Sequence, residues 1–470
     1  VGNTIVQVGC QGRRTSAGRR VSRGCATPER ARVIPKGPKC DGCPARGWGE
    51  YMVLDDPMGP DTTVQIMAQN PGEWEEKGWK FEGWSGGGER RTEVAPAPLI
   101  GKSGYELDHT YLPLAGLARA DVRCGNVIRC RHHGSNELPP LTQSGVRGAI
   151  RQCQRAYYQP PERGTIVALG AYALWALTGE FGGEDDSEGD NVRANRGIDG
   201  WRGWALPYTP MHEEDRDPEG GFLPILPLQH PTLQVYATFH PAYYYRAHWL
   251  KPVGKMDFVK LKHLLLGTWP EPFPAVQLVP LTASTLAFDT EYIPATVQMT
   301  RYSVAWRAAD GAPTVAVVER DDTSVVLPPP SHVIAHNLEA DWPYLVQCFG
   351  ALPTSWDDTM YMSSALHGTM RHTLDFLGSL YARTNRWKHL EQSDEIMYSG
   401  MDALGTWDVW QALRREMIRD PQSERVYQEE LKPLLPLLLQ RPAIRLDMSR
   451  VQEVDRQLVS DQAEWALRTQ

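Results

Sequence analysis

Hydrophobic and polar positions alternate between two kinds of segment from residue 62 to residue 270. Short apolar runs bounded by turn residues predict strands, namely "TTVQIMAQ", "GNVIRC", "GTIVALG" and "QVYATFH". Helix-like runs lie between them, namely "GAIRQCQRAYY", "AYALWALTG" and "DFVKLKHLLLG". Two insertions interrupt the pattern: "EGWSGGGERR" and the acidic "GEFGGEDDSEGD", which we expect to be a solvated loop. This order predicts an α/β domain with a mostly parallel sheet.

A proline-rich segment, "WPEPFPAVQLVP", separates this region from a second one. The second region begins with the strand-like runs "TLAFDTEY", "VQMTRYSVAWR", "TVAVVE" and "HVIAHN" and continues into helices. From about residue 420, "LKPLLPLLLQRPAIRLDMSRVQEVDRQL" predicts a helix, a short extended link and another helix. The fold class is therefore α/β, with two α/β domains and a helical C-terminal segment. The expected boundaries are 1–39 (basic flexible arm), 40–268 (first domain), 269–284 (linker), 285–419 (second domain) and 420–470 (helical segment).

Composition and charge are compatible with this organisation. Of 470 residues, 41% are hydrophobic and 23% are charged, which allows a normal core. The net charge is −8, but residues 1–40 carry nine Arg or Lys and one Glu. This arm either contacts phosphates or is a disordered tail. The longest apolar runs are too short to span a bilayer and no signal peptide is evident, so we expect no membrane association.

Eight cysteines, at positions 10, 25, 40, 43, 124, 130, 153 and 348, are too few for a disulfide scaffold of this size. Cys40 and Cys43 form a C-x2-C pair, and Cys130 and Cys153 follow at longer spacing. One close pair plus two later thiols suits structural zinc or a [4Fe–4S] cluster in a reducing compartment. The spacing alone does not choose between the two.

Acidic residues follow an ordered pattern after residue 285. "FDTEY" puts Asp289 and Glu291 on one face of a strand, where their repulsion calls for a divalent metal ion. Asp341 follows Asn337 by four residues at a strand-to-helix junction, and Asp402 follows Tyr398 by four on one helix face. Each piece occurs by chance in many chains, but the ordered set is a strong signal.

This set, together with "DDTMYMSSAL" and "HTLDFLGSLYAR", resembles the 3′–5′ proofreading exonuclease domain of family A DNA polymerases. The resemblance covers roughly residues 285–418 and implies a ribonuclease H-like fold. It also implies that Asp289, Glu291, Asp341 and Asp402 hold two divalent ions, Mg²⁺ or Mn²⁺. Two such ions would activate a water and stabilise the leaving 3′ oxygen. Tyr398 would orient the attacking water.

The helical segment from about residue 420 resembles the start of the polymerase thumb in the same family. The sequence has no polymerase palm motifs, and about 50 residues could not hold a palm domain. We therefore expect a DNA polymerase module either in a longer chain or in a separate one. DNA with single-stranded 3′ ends is the expected substrate.

The stretch "TVQIMAQNPGEWEE" ends an apolar strand on two amide side chains, Gln69 and Asn70. Asn70, Pro71 and Gly72 form a turn tripeptide, and an acidic helix start follows. The simple interpretation is a strand-to-helix turn. The functional interpretation is a loop that reads a base or holds a water.

The surrounding motifs favour the functional interpretation. "CDGCPAR", "AQNPGEWEE", "APLIGKSG", "GNVIRCRHHG", "VALGAYALWALTG" and "FHPAYYYR" occur in the order found in family-4 iron–sulfur uracil-DNA glycosylases. The resemblance covers about residues 40–265 and implies a [4Fe–4S] cluster held by Cys40, Cys43, Cys130 and Cys153. It implies that Asn126 reads the uracil edge, that His240 stabilises the departing uracil, and that the loop from Gln69 to Gly72 approaches the sugar and base.

The sequence departs from the glycosylase pattern at several points. The family motif Gly-Glu-Gly-Pro-Gly is replaced by residues 68–72, "AQNPG", whose Asn resembles the loop of mismatch-specific uracil glycosylases. The family's base-stacking Phe falls on Leu99, for which Trp79, Phe81 or Trp84 could substitute. The last cysteine spacing is also longer than usual.

These departures leave alternatives open. The first domain is either an active glycosylase or an inactive module that senses uracil or clamps DNA. A purely structural accessory of a polymerase is a third alternative, against which the intact carboxylates argue. The resemblances imply a cytoplasmic protein of a bacterial or phage-infected cell that binds DNA, including uracil-containing DNA.

Overall fold

The computed structural model describes residues 34–49, 51–57, 59, 61–132, 135–141, 143–180, 197–209, 232–278, 283–293, 296–319 and 329–439. Most of the basic arm, most of the acidic insertion, and the predicted link and last helix therefore lie outside the described residues. Within these ranges, no helix has the length and apolar character needed to cross a bilayer.

The strands that precede the proline-rich segment belong to three separate sheets. In chain order they are β1 (Ile34–Pro35), β2 (Tyr51–Met52), β3 (Val64–Ala68), β4 (Trp79–Ser85), β5 (Gly88–Glu93), β6 (Arg123–Asn126), β7 (Gly164–Leu169), β8 (Ala205–Pro207) and β9 (Leu233–Thr238). β1 pairs with β2, so the end of the predicted arm belongs to a small ribbon. β4 and β5 form an antiparallel hairpin from the predicted insertion "EGWSGGGERR".

The main sheet of the first domain has the strand order β6–β3–β7–β9–β8. Its neighbouring strands are parallel except at the edge, where β8 runs antiparallel to β9. β3 is buried along its whole length and mostly apolar, as expected for a central parallel strand covered on both faces. The carboxyl ends of β3, β6, β7 and β9 meet at one edge, where parallel sheets commonly place their sites.

Seven α-helices accompany this sheet in the described residues. They are α1 (Glu73–Glu76), α2 (Lys102–Glu106), α3 (Ser144–Tyr157), α4 (Ala171–Thr178), α5 (Gly197–Trp201), α6 (Tyr243–Arg246) and α7 (Lys251–Leu265). α4 is apolar and largely buried, because it packs between the sheet and the neighbouring helices. α1 begins at the residue that follows the predicted loop, and α6 begins three residues after His240, so both begin at the sheet edge that carries the candidate residues.

The second domain is a six-stranded sheet with helices. Its elements are β10 (Val276–Gln277), β11 (Thr285–Ile293), β12 (Gln298–Arg307), β13 (Pro313–Glu319), β14 (His332–Ala335), α8 (Leu338–Phe349), β15 (Ser355–Asp358), α9 (Thr359–His367), α10 (Leu374–Tyr381) and α11 (Glu395–Arg419), followed by α12 (Pro421–Val426) and α13 (Leu434–Leu439). The order is β10–β13–β12–β11–β14–β15. β12 is antiparallel to both neighbours, whereas β14 and β15 run parallel to β11. This is a ribonuclease H-like sheet, and the predicted α/β fold class is confirmed.

The long helix α11 holds two predicted site residues against this sheet. Its start is capped by Asp394, whose side chain accepts a hydrogen bond from the Met397 backbone N at 3.0 Å. Gly400 faces β13 so closely that an added Cβ would lie 2.7 Å from Val315 Cγ1. The absence of a side chain at Gly400 therefore allows α11 to approach the strands.

The proline-rich segment does not separate the two domains but packs between them. Trp269 is buried, and its indole nitrogen donates a hydrogen bond to the Ala382 carbonyl at 3.1 Å. Lys260 of α7 reaches the Ser379 carbonyl of α10 at 2.9 Å. Arg202 donates to the Ser379 hydroxyl at 2.6 and 3.0 Å. One hydrophobic core runs through both domains at this contact.

Candidate metal centre and base-binding cavity

β11 and α11 bring three of the predicted carboxylates together. Asp289 and Glu291 share one face of β11, as the alternation of a strand requires. Asp402 faces them from α11. One ligand oxygen from each of the three lies within 4.8 Å of the other two. Carboxylate oxygens at this spacing suit a hard divalent cation such as Mg²⁺ or Mn²⁺.

The fourth predicted carboxylate, Asp341, lies in the first turn of α8 and is turned toward β11. Its Oδ1 accepts hydrogen bonds from the Thr290 backbone N at 3.0 Å and from Thr290 Oγ1 at 2.5 Å. It is close enough to Asp289 for their charges to interact. The structure thus gathers the four predicted carboxylates in one region.

Burial and mutual repulsion make these carboxylates reluctant to ionise. Burial, followed by the charge of Asp402, raises the pKa of Asp289 well above its ordinary value. The same two causes raise the pKa of Glu291 to about 7. Burial raises the pKa of Asp341 to about 7, although the hydrogen bonds from Thr290 oppose this. A cation would relieve the repulsion, so the donor set and its electrostatics fit a divalent metal site.

Lys388 is a site residue that sequence reasoning missed. Its Nζ lies 2.6 and 2.7 Å from the two oxygens of Asp402 and 3.2 Å from the Tyr398 hydroxyl. Burial is the largest single effect and lowers the pKa of Lys388, but the charges of Asp402, Tyr398 and Asp289 and the hydrogen bond to Asp402 together outweigh it and raise the pKa. Trp387 also donates to Asp402, at 2.6 Å. Lys388 precedes Asp402 by 14 residues in an irregular segment, so no periodicity could have revealed this contact.

Tyr398 lies one helical turn before Asp402, as predicted, and the two side chains share a face of α11. Burial, with the charge of Asp402, raises the pKa of Tyr398 above its ordinary value. The phenol is therefore neutral at physiological pH. A neutral hydroxyl beside the carboxylates can donate a hydrogen bond to a water or a phosphate oxygen.

The four thiols predicted to hold a cluster lie together at one side of the first domain. Cys40 and Cys43 lie between β1 and β2, Cys130 follows β6, Cys153 lies on α3, and all are buried. The Cys40 and Cys43 thiols each contribute to the raised pKa values of Cys130 and Cys153. Burial is the main cause and raises the pKa of Cys130 to about 12. A cation would be needed to hold these groups as thiolates.

The thiols form a looser group than the carboxylates. Across the described ranges, the three carboxylates above are the only group of three His, Cys, Asp or Glu ligand atoms that all lie within 4.8 Å of one another. Four neighbouring thiols suit either a zinc ion or an iron–sulfur cluster.

A cavity of about 650 Å³ opens at the carboxyl edge of the first sheet. Gln69, Asn70 and Gly72 of the predicted loop line one side, and His240 lines the other. Gln69 Nε2 donates to the Asn136 carbonyl at 3.3 Å. The structure therefore brings the predicted loop and the predicted histidine to one cavity, as the functional interpretation of "AQNPG" requires.

His240 is held in one neutral form. Burial, with the nearby charge of Arg246, lowers the pKa of His240 to about 4. Its Nδ1 accepts a hydrogen bond from the Ala242 backbone N at 3.1 Å. The neutral ring therefore carries its proton on Nε2. A neutral imidazole N–H of this kind can stabilise negative charge that develops on a ligand.

Two buried asparagines at the carboxyl edge have side-chain polar atoms without a hydrogen-bond partner among the described residues. Asn70 donates to the Pro71 carbonyl at 3.1 Å, but its Oδ1 has no partner within the described residues. Asn126 is fully buried at the end of β6, and neither atom of its amide has a well-aligned partner there, although the amide lies near Glu75. Buried polar atoms without partners are uncommon and suit contact with a polar ligand.

Glu75 is a second residue that sequence reasoning missed. It lines the cavity and is itself buried. Its Oε2 accepts from the Gly72 backbone N at 3.0 Å, and its Oε1 accepts from the Leu99 backbone N at 2.7 Å. Burial raises the pKa of Glu75 to about 7. The Glu three residues after Gly72 is a capping-box pattern, which could have suggested this role.

Leu99 and the three candidate aromatics, Trp79, Phe81 and Trp84, are not among the residues that line the cavity. Leu99 is 2% exposed and belongs to the hydrophobic core. Phe81 is buried against Trp74, Trp84 and Tyr105, whereas Trp84 is exposed. The aromatic side chains that line the cavity are Trp74, Tyr172, Phe239, Tyr243 and Tyr245. A base in the cavity would therefore contact these five aromatic side chains and not the candidates from the sequence.

No protein-family model and no curated protein matches the chain. Among solved structures, Mg²⁺-bound NrnC of Brucella melitensis is similar over 34% of this chain and 86% of its own, with 18% identity and a TM-score of 0.27. The RRP6 catalytic core of Trypanosoma brucei is similar over 37% and 52%, with 17% identity and a TM-score of 0.27. Escherichia coli RNase D, an exoribonuclease involved in structured RNA processing, is similar over 34% and 46%, with 15% identity and a TM-score of 0.27.

Proposed function

We propose that the chain is a metal-dependent 3′–5′ exonuclease that also recognises uracil in DNA. The observation that best supports the exonuclease is the group of ligand oxygens from Asp289, Glu291 and Asp402, all within 4.8 Å on a ribonuclease H-like sheet. Asp341 adds a fourth carboxylate from α8, and Tyr398 lies beside Asp402 on α11.

The proposed site residues have separate roles in phosphodiester hydrolysis. Asp289, Glu291, Asp341 and Asp402 would hold two divalent ions, Mg²⁺ or Mn²⁺. Bound ions of this kind activate a water and stabilise the leaving 3′ oxygen. The neutral Tyr398 phenol orients the water that attacks phosphorus. The bond from phosphorus to the 3′ oxygen breaks, which releases a nucleoside 5′-monophosphate and leaves a new 3′ hydroxyl.

The exonuclease is tested with Asp289→Ala on 5′-labelled single-stranded oligonucleotides, both DNA and RNA, with Mg²⁺ or Mn²⁺. We expect the variant to lose shortening of the strand from its 3′ end, because Asp289 is a shared metal ligand. Glu339→Ala is the matched control, since Glu339 is an exposed carboxylate on α8. Digestion by Asp289→Ala at the wild-type rate would show that the site is assigned wrongly. The DNA and RNA arms establish the substrate class.

The cavity supports uracil recognition as a second function. Asn70 lines the cavity with an amide oxygen that has no partner within the described residues, and the cavity aromatics can stack on the base. Asn126 is fully buried and is not among the lining residues, so it lies behind the cavity surface, next to Glu75. His240, neutral and protonated on Nε2, stabilises the uracil anion as the glycosidic bond breaks. Asn70 cannot act as a base, because an amide does not take a proton near neutral pH. It can orient a water toward the sugar carbon.

Uracil excision is tested with the Asp289→Ala chain on uracil-containing DNA, followed by alkaline cleavage of abasic sites. We expect slow but real excision, because bond breaking is dissociative and needs no strong base. Binding of uracil-containing DNA without strand cleavage, at enzyme excess and long times, would instead favour a sensing module. Excision that survives combined Asn70→Ala and His240→Ala would show that the cavity is not the active site.

The four thiols are proposed to hold a [4Fe–4S] cluster with a structural role. Their burial and their mutual proximity support a shared metal centre, and the sequence resemblance to iron–sulfur glycosylases favours a cluster over a single zinc ion. Iron and acid-labile sulfide measured on anaerobically purified protein should both be present. Stoichiometric zinc without iron or sulfide would refute the cluster and leave a structural zinc site.

We also propose that the exonuclease acts beside a DNA polymerase module, in the same chain or in another. The proposal rests on the proofreading-type sequence resemblance and on the packing of the segment after residue 420. Tyr427 there contacts Asp357 of β15 at 2.9 Å. Co-purification of a polymerase, or primer extension by a longer form of the chain, is the supporting result. Absence of both would argue for a free-standing nuclease.

A further inference from the structure

The base-binding cavity is adjacent to a second cavity, which lies beside the metal centre and is lined by two residues that contact each other there, Lys388 and Tyr398. The second cavity measures about 580 Å³. Helix α5 lies between the two. Ile198 lines the first cavity, Gly200 lines the second, and Asp199 lines both. The two cavities therefore meet at Asp199.

The junction is closed by an ion pair that a phosphate could open. Arg371, from the segment before α10, lies 3.0 Å from Asp199. The Arg371 side chain is 53% exposed and that of Asp199 is 33% exposed, so the pair is accessible to solvent and weak. A nucleic-acid phosphate can compete with Asp199 for the Arg371 guanidinium, because guanidinium binds phosphate through paired hydrogen bonds.

Basic side chains continue along both cavities. Lys102 and Arg246 line the base-binding cavity, and Arg371, Arg386 and Lys388 line the cavity at the metal centre. Carboxylates also line this path, among them Asp375 and Glu391 in the second cavity. The mixture suits a strand that is held at several phosphates but can still move.

The distance between the two cavities is fixed by the packed interface between the domains. Arg202 follows α5 directly and is fully buried, and both of its terminal nitrogens contact the Ser379 hydroxyl of α10. Asn385 exchanges hydrogen bonds with the Ala205 backbone at 2.8 and 3.3 Å. These contacts join the two domains near the junction and therefore fix the positions of the two cavities relative to each other.

We propose that the two cavities form one groove for a single strand, in which the uracil cavity inspects nucleotides upstream of the 3′ end that is being digested. This inference rests on the proposed function. When a 3′ end lies at the metal centre, the strand leaves past Arg371, and a nucleotide a fixed number of positions upstream reaches the uracil cavity. A uracil bound there must be released before the strand can advance. Digestion therefore pauses at a constant distance before each uracil.

The test is digestion of 5′-labelled single strands that each carry one deoxyuridine, placed at different positions. A 2′-fluoro deoxyuridine that resists glycosidic cleavage is used, so that excision does not complicate the pattern. We expect a band at the same spacing from the uracil in every strand, with the step there slowed by about tenfold, in line with the strength of base stacking. The matching thymidine strand should give no such band.

Variants connect the pause to the groove. Arg371→Glu and, separately, Asn70→Ala should each shorten the pause on the uracil strand, measured relative to the same step on the thymidine strand, because Arg371 and Asn70 line the two cavities. Arg163→Glu is the matched control and should keep the pause. Arg163 is an exposed arginine just before β7, at the opposite end of the sheet, and lines neither cavity.

The outcomes separate this inference from the proposed function. If the protein digests the thymidine strand and binds uracil-containing DNA but shows no fixed-distance pause, the two sites act independently and the inference is wrong. A pause that persists in both groove variants would also overturn it, because the strand would then take another path. Failure to digest the thymidine strand, or failure to bind uracil, would overturn the proposed function and this inference with it.

Discussion

At the scale of single residues, Lys388 sets the electrostatic balance of the metal centre. Its ammonium group contacts both oxygens of Asp402, while burial and repulsion keep the pKa values of Asp289 and Glu291 raised. Lys388 offsets the negative charge of Asp402 alone, whereas a cation bound by the carboxylates would offset the repulsion among all of them. Lys388 and a bound metal ion would therefore both offset the charge of Asp402. Removing Lys388 should make the stability of the protein depend more strongly on the metal ion.

The first prediction concerns Lys388→Met, which keeps the aliphatic length and removes the charge. Without added metal, the variant should lose about 2 kcal/mol of stability, less than a fully buried ion pair because the Lys388 side chain is 20% exposed. Saturating Mn²⁺ should raise Tm more in the variant than in the wild type. Lys255→Met on the exposed face of α7 is the control and should change neither value. If Mn²⁺ raised the Tm of the wild type and both variants by the same amount, Lys388 and the metal ion would not be acting on the same carboxylate, Asp402.

The second prediction is a pH dependence at the same site. Glu291 and Asp341 have pKa values of about 7 in the fold, above their ordinary values of 4.5 and 3.8. The folded state therefore binds these protons more tightly than the unfolded state, so the contribution of Glu291 and Asp341 to stability is fully present below about pH 4 and is lost as pH rises through 7. Metal ions compete with the same protons. The Tm shift caused by Mn²⁺ should thus be larger at pH 8 than at pH 6, and an equal or smaller shift at pH 8 would contradict the assigned titration.

At the scale of elements, periodicity predicted the parts of the site that belong to one strand or one helix. The alternation of β11 put Asp289 beside Glu291, and helical spacing put Tyr398 above Asp402. Contacts between elements were not predictable from periodicity. Asp341 bonds to Thr290 because α8 packs against β11, and Lys388 reaches Asp402 from an irregular segment. Similarly, proline content suggested a linker at 269–284, and it could not show that Trp269, at the start of this segment, packs into the core shared by the two domains.

The third prediction tests how closely α11 must approach the sheet. In Gly400→Ala the new Cβ would lie 2.7 Å from Val315 Cγ1, so α11 has to move. Overpacking of about 1–3 kcal/mol outweighs a helix-propensity gain of about 1 kcal/mol, so Tm and exonuclease kcat should both fall. Gly145→Ala in α3 is the matched control, since its Cβ would meet nothing closer than Pro44 Cβ at 4.0 Å, and it should be neutral or stabilising. A stable, fully active Gly400→Ala would show that the position of α11 is not critical.

At the scale of the whole molecule, the two domains share one core and should behave as one unit. Lys260 illustrates the coupling, because its ammonium lies 4.2 and 4.3 Å from the rings of Trp204 and Trp269 and bonds to α10 of the second domain. Burial lowers the pKa of Lys260 well below its ordinary value. This environment exists only while the two domains remain docked, so opening the interface would expose the Lys260 amine to water and remove the cause of its lowered pKa.

The last prediction is that the described parts of both domains unfold in one cooperative transition that depends on Trp269. Trp269→Ala removes a buried ring between the domains and leaves the Ala382 carbonyl without its donor. Large-to-small changes of this kind cost about 3–5 kcal/mol. Calorimetry should show one transition for the wild type and two for the variant, because each domain retains its own sheet but loses the shared core. Trp249→Ala, at a ring that is 55% exposed, should keep a single transition near the wild-type Tm. Two separate transitions in the wild type would show that the domains fold independently, and the fixed spacing between the two cavities would then lose its physical basis.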